Sequence, residues 1–407
     1  MPLTRNQALG LYVSVPFCRS KCTYCNFASG VYPASEHARY VGRLIDELTR
    51  AEAWAAVMGV EMPRGVDTVY LGGGTPSLLA PELIAELFGA VRDAFDLAPD
   101  AEITVECAPG QIAQPTLEAL AAAGVNRVSL GVQSFIDGEA ASSGRLHKRE
   151  TVLEDLRRLR AVDIANLNVD LIAGLAGQTF ASWEESLAVL VDCGVPHASV
   201  YMLEVDEDSR LGREMLSGGV RYHAELVPSD DAIARMYERA LERLDEVGLA
   251  QYEISNFSRL GSESRHNLRY WERRPYLGVG LDASSAFYSG DGEGYVLRAT
   301  TGDDLREYIE GSPKPETAWL SVDRQFEEAW FLGLRLNSGV EIGALRVEFG
   351  EEWVAAALGV VERLVADALL ASDGERVCLT PRGRLMSNDV FQEFLGVADT
   401  VASGARG

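Results

Sequence analysis

The sequence predicts an α/β fold: six strand–helix units forming an open or partial barrel, or a doubly wound sheet, followed by a smaller α+β region. Three observations lead there. Short apolar runs alternate with amphipathic stretches over the first 220 residues, as a parallel sheet with helical crossovers requires. Glycines, cysteines and acidic residues gather near the ends of those runs, where a parallel barrel builds its sites. Beyond residue 220 the alternation gives way to aromatic, polar and long helical segments.

The strand-like runs are, in order, "LYVSVPF", "DTVYLGGG", "EITVECAP", "RVSLGVQS", "NLNVDLIAG" and "ASVYMLEV". Between them "ARYVGRLIDELTRAEAWAA", "PELIAELFGAVRDAF", "PTLEALAAAG" and "ETVLEDLRRLRAV" carry helical periodicity. The polar residues Glu106, Gln133, Asp170 and Glu204 should then converge on one pocket. "SDDAIARMYERALERLDEVG" predicts a helix with Ser229 as its N-cap. From about residue 320, "RQFEEAWFLGLRLNSGV" and "WVAAALGVVERLVADALL" read as helices, and "RVCLTPRGRLMSNDVFQEFL" as strand, turn and helix. This last part suggests a unit of winged-helix type. The expected division is a core domain over 1–220, a linking region over 221–305 and a C-terminal domain over 306–407, with "VASGARG" as a frayed tail.

The chain has 407 residues, 47% of them hydrophobic, and a formal net charge of −24. The charge argues against a nucleic-acid surface. No run of 18 apolar residues predicts a transmembrane helix, and the N-terminal segment lacks a secretory apolar stretch. A cytosolic protein is expected, with peripheral membrane contact left open. Its six cysteines should be thiols or metal ligands rather than disulfides.

Three of the six cluster in "VPFCRSKCTYCNF" as Cys18, Cys22 and Cys25. A structural zinc site closes with four ligands, often as two C-x-x-C pairs, and no partner pair exists here. A [4Fe–4S] cluster held by three thiolates keeps one iron open for a substrate or cofactor. The scattered Cys107, Cys193 and Cys378 read as small buried hydrophobes.

With Tyr24 inside it, this C-x3-C-x2-C motif after a first strand resembles the radical S-adenosylmethionine (SAM) superfamily. The resemblance implies a partial (β/α)6 barrel, SAM chelating the open iron, and a reduced cluster able to cleave it. "YLGGGTPS" does not fit a dinucleotide loop. It resembles the superfamily's glycine motif, which implies that Gly73, Gly74 and Thr75 lie at the methionine end of SAM. Tyr12, six positions before Cys18, resembles the coproporphyrinogen-oxidase-like branch. Glu106, Gln133, Arg145 and Asp170 match that branch's SAM contacts.

Two features place the chain within this branch. The oxidases carry a further cysteine two positions after the third, where this chain has Phe27. "RHNLRYW" resembles the H-N-x-x-Y-W signature of the HemW haem chaperones, supported by "QYEISNF" and "RPYLGVG" around it. That resemblance implies haem binding, with His266, Tyr270 and Trp271 as haem contacts, and transfer to haem-acceptor proteins. The family commonly has a second histidine downstream; here "GVGLDASSAF" has Ser284 in its place. The alternatives are an oxygen-independent coproporphyrinogen III dehydrogenase or a radical SAM enzyme acting on haem.

Overall fold

The computed structural model of the protein describes residues 8–292, 294–311 and 315–397. The first half follows the expected alternation: β1 (Leu9–Val15), α1 (Ser35–Met58), β2 (Gly65–Gly73), α2 (Pro81–Ala94), β3 (Asp96–Cys107), α3 (Gln114–Ala122), β4 (Arg127–Gln133), α4 (Asp137–Ser142), α5 (Arg149–Ala161), β5 (Asn166–Ala173), α6 (Phe180–Cys193) and β6 (His197–Met202). β1 to β6 pair in sequence order and all in parallel. A doubly wound sheet would reverse its order at a switch point. Successive pairing is barrel order, so the partial (β/α)6 barrel is the arrangement adopted.

α7 (Arg210–Ser217) and α8 (Asp230–Asp245) follow. The Ser229 side chain accepts from the Ala232 N–H and caps α8, as expected. Residues 221–305, expected to link two domains, then extend the same sheet at both ends. β7 (Ala250–Gln251) and β8 (Asn256–Ser258) join beyond β6. After α9 (Arg265–Trp271), β9 (Tyr276–Val279) pairs in parallel with β1, and β10 (Ser284–Tyr288) and β11 (Val296–Thr300) continue outward antiparallel. α10 (Leu305–Glu310) and β12 (Glu316–Leu320) complete a twelve-stranded sheet whose end strands, β12 and β7, are not paired with each other.

Strand periodicity decides which side chains face the lumen. Leu9, Leu11, Val13 and Val15 of β1 pack in the core with Tyr40, Leu44 and Leu48 of α1. Each such burial stabilises the fold by about 1.5–3 kcal/mol. The intervening Gly10, Tyr12 and Ser14 take the other face, in register with Thr68, Tyr70 and Gly72 of β2. The lumen is therefore polar and aromatic while the sheet–helix layer is aliphatic.

The C-terminal unit comprises α11 (Val322–Arg335), β13 (Val340–Glu341), α12 (Ile342–Phe349), α13 (Glu351–Ala366), β14 (Leu370–Ser372), β15 (Arg376–Leu379), α14 (Pro381–Leu385) and α15 (Ser387–Gln392). Its three strands form an antiparallel sheet in the order β13-β15-β14, and it has its own core around Phe326, Trp330, Val354 and Phe394. It docks on the barrel through an Asn337 N–H donated to Tyr252 O at 2.9 Å and an Arg273–Glu348 ion pair at 2.7 Å. The tail "VASGARG" lies outside the described residues. Among the described residues no helix is long and apolar enough to cross a membrane.

Candidate functional site

A cavity of about 770 Å³ opens at the carboxyl ends of the parallel strands. Cys18, Cys22, Tyr24 and Cys25 from the loop after β1 line it. Gly73, Gly74 and Thr75 after β2 join them, with Glu106, Gln133, Arg145 and Asp170 from β3, β4, the loop after α4, and β5. Segments more than 150 residues apart in sequence thus meet as the strand-end polarity predicted.

Backbone contacts hold the cysteine loop. Gly74 N–H donates to Val15 O at 2.8 Å and Thr75 N–H to Phe17 O at 2.7 Å. Thr23 N–H donates to Ser143 O at 3.0 Å, and the Cys18 N–H to Gly30 O at 2.8 Å. Gly74 must lack a side chain: a Cβ there would stand 2.7 Å from Phe17 O and 2.8 Å from Val15 O. Burial pushes the Cys18 thiol up, so a bound cation is needed to hold it as thiolate. Among the described residues no three His, Cys, Asp or Glu side chains form a single-ion site. Three thiols in one wall suit a polynuclear cluster, in which each thiolate binds its own iron.

The acidic floor is built in register. Tyr70 O–H donates to Glu106 Oε1 at 2.8 Å. Asp170 accepts from Asn168 Nδ2 at 2.6 Å and Ser129 Oγ at 3.1 Å. Burial pushes the Glu106 carboxyl up to about 7, against the Tyr70 hydrogen bond and with the Asp170 charge reinforcing it. Arg145 donates from Nη2 to the Tyr24 hydroxyl at 3.1 Å. Among the buried polar atoms of the lining that lack protein partners are Gln133 Oε1 and Arg145 Nε. Buried polar atoms are normally paired, so an amino-acid-like ligand offering a donor and a carboxylate fits the wall as built.

The H-N-x-x-Y-W helix lies elsewhere. α9 plugs the barrel interior, its first N–H groups donating to the buried Glu102 carboxylate from Arg265 at 3.1 Å and His266 at 3.0 Å. His266 is buried, with Nδ1 2.9 Å from Thr68 Oγ1 and Nε2 2.8 Å from the Tyr270 hydroxyl. Its ring lies beside Tyr70 and Tyr12, with centroids at 5.2 and 6.4 Å. Arg269, also buried, donates to the Ala8 and Pro275 carbonyls at 2.7 and 2.9 Å and pairs with Asp67. The structure therefore does not bring Tyr12, His266, Tyr270 or Trp271 to the cavity wall, and His266 presents no free ring nitrogen to iron. Ser284 is exposed on β10 and pairs with Thr300 at 2.9 Å.

Of the other thiols, Cys107 and Cys193 are buried as expected and Cys378 is half-buried. Sequence reasoning missed Tyr70, Ser129 and Asn168, which hold the two acids. Their signal was available: each is two residues from a lumen position on its own strand. It also missed Arg335, Ser387 and Asn388, which reach the cavity from the C-terminal unit. No local pattern marks these, because the contact exists only once the two units dock.

The comparisons agree with this architecture. Residues 12–190 match the family model of the radical SAM superfamily and residues 320–386 that of the HemN C-terminal domain. The protein named "Heme chaperone HemW" of Mycobacterium tuberculosis (strain H37Rv) is 35% identical over 392 residues, covering 96% of this chain and 95% of that one. Its namesake of Lactococcus lactis is 32% identical over 389 residues, covering 94% and 96%. The solved structure of the Escherichia coli coproporphyrinogen III oxidase HemN, described as a radical SAM enzyme, superposes with a TM-score of 0.81. It covers 96% of this chain and 91% of that one at 22% identity, which shows a common fold. A polar partial barrel with three thiols at its mouth, matched nearly end to end by such relatives, places the chain in the HemW family of the radical SAM superfamily.

Proposed function

We propose that the protein is a haem chaperone of the cytoplasm. It holds a [4Fe–4S] cluster on Cys18, Cys22 and Cys25, binds SAM beside it, binds haem and delivers it to acceptor proteins. The observation that carries this reading is the near-full-length likeness to proteins named heme chaperones, from the cysteine loop through the C-terminal unit. Phe27 supports it: this side chain lines the cavity where the resembling oxidases carry a further cysteine.

The cluster, when bound, supplies an iron open to a ligand's amino and carboxylate groups. The chain's own residues do the rest. Gly74 lets the glycine loop close on the cysteine loop. Gln133 Oε1 can accept from an amino group, and Arg145 can pair with a carboxylate. Glu106 and Asp170 offer acceptors to amino or hydroxyl groups, held in place by Tyr70, Ser129 and Asn168.

The test is one anaerobically reconstituted sample read three ways. Haem titration should give a saturable Soret change, the haem should pass to an apo-haem protein, and coproporphyrinogen III should not be decarboxylated. Multiple turnovers to protoporphyrinogen IX would instead identify a coproporphyrinogen dehydrogenase.

A further inference from the structure

Arg335, the last residue of α11, reaches from the C-terminal unit into the cavity wall. Its guanidinium carbon lies 4.1 Å from the centroid of the Trp271 ring. Its Nη2 is 3.6 Å from Glu253 Oε2, beyond hydrogen-bond length. Among the described residues the guanidinium donates no hydrogen bond, and its buried Nε has no partner.

A guanidinium has five in-plane N–H donors. Stacking on an aromatic face uses the plane's π surface and leaves those donors free. Glu253 does not consume them: it is fully buried, its Oε1 accepts from the Ser255 N–H at 2.9 Å and from Asn256, and its Oε2 has no hydrogen-bond partner. Arg335 thus lies over an aromatic face, charge-balanced by Glu253, with its donors unspent beside a cavity. A guanidinium fork matches a carboxylate two-pronged. Of the other arginines in the lining, Arg19 and Arg145, the latter is tied to Tyr24 in the cysteine loop.

We propose that Arg335 is a second carboxylate-docking residue of this cavity besides Arg145, held ready by Trp271 and Glu253. This rests on the proposed ligands, both of which bear carboxylates: the propionates of haem and the amino-acid carboxylate of SAM. It also gives Trp271 work that its place outside the cavity wall would otherwise deny it, as a positioning residue acting through Arg335.

The test compares wild type, Arg335→Gln and Arg335→Lys as reconstituted full-length proteins. Dissociation constants are measured for haem, haem dimethyl ester and SAM, with cluster absorption and thermal midpoint as checks on folding. Arg335→Gln should weaken a free-acid ligand about tenfold or more, the scale of a lost charge-assisted hydrogen bond, and leave the dimethyl ester unchanged. Arg335→Lys, with charge but no fork, should recover part of the loss. A loss confined to haem assigns the propionates, and one confined to SAM assigns its carboxylate. Equal losses for haem and its ester, or no loss for haem and SAM, overturn the proposal. If Arg335→Gln does not fold, Arg335→Lys decides by the same comparison. A wild type that binds SAM but no haem sinks the chaperone reading, and the SAM measurement then still decides the role of Arg335.

Discussion

The Nε2 of His266 stands 2.8 Å from the hydroxyl of Tyr270, one turn along the same helix, and its Nδ1 stands 2.9 Å from Thr68. Burial, and then the Arg269 charge, hold this imidazole down at about 3. Unfolded, it would titrate near its ordinary value of about 6.5. Between those values the unfolded chain binds the extra proton, so stability falls as pH falls, by up to about 1.4 kcal/mol per pH unit. His266→Ala should remove that acid limb. It should also cost about 2–4 kcal/mol at neutral pH, through two lost hydrogen bonds and a cavity. Urea unfolding at pH 5 and 7 measures both. The Soret band of the folded variant should match wild type; an altered band would show that the ring leaves Thr68 or Tyr270 to bind iron.

Glu106 runs in the opposite sense. Its folded value, pushed up to about 7, exceeds the ordinary carboxylate range. The folded chain therefore holds the extra proton between about pH 4.5 and 7, and stability falls as pH rises through that window. Glu106→Gln should stabilise the ligand-free protein relative to wild type at pH 8 and have little effect at pH 5. The same variant should weaken SAM binding, read by calorimetry. A variant whose stability tracks wild type at both pH values would show that the carboxyl is not titrating there.

Replacing Cys18, Cys22 or Cys25 singly with Ser should abolish the cluster's broad visible absorption after reconstitution, with iron content falling well below four per chain. Cys107→Ser, in the same cavity lining, should retain the cluster. Retention of iron in all three loop variants, or tight zinc in the wild type, would count against the cluster.

Gly74→Ala places a methyl group within 2.9 Å of three backbone atoms at the end of β1 and start of the cysteine loop. Nothing there can yield without moving that loop. Iron uptake should drop severalfold, while Gly65→Ala, with nothing within 4 Å of its Cβ, should behave as wild type. Equal iron uptake by both variants would refute the link between glycine loop and cluster loop.

The sequence by itself determined the strand–helix alternation, the α8 cap at Ser229, and the thiol, glycine and acidic segments of the cavity. These are local signals: side-chain periodicity sets the element, and parallel strands carry their terminal residues to one face wherever the strands lie. Only tertiary structure decided the rest. Successive pairing of β1 to β6 chose the barrel over a doubly wound sheet, because alternation is identical in both and strand order is not encoded in any one segment. Residues 221–305 read as a linking region because their strands are short, yet β7 to β11 extend the sheet by pairing with edges already formed. His266 lies inside the barrel for the same reason: the motif's spelling says nothing of Thr68 or Glu102, 198 and 164 residues upstream, whose hydrogen bonds hold α9 there. Arg335 faces the cavity only because the C-terminal unit docks beside Trp271, a contact between surfaces that no sequence period records.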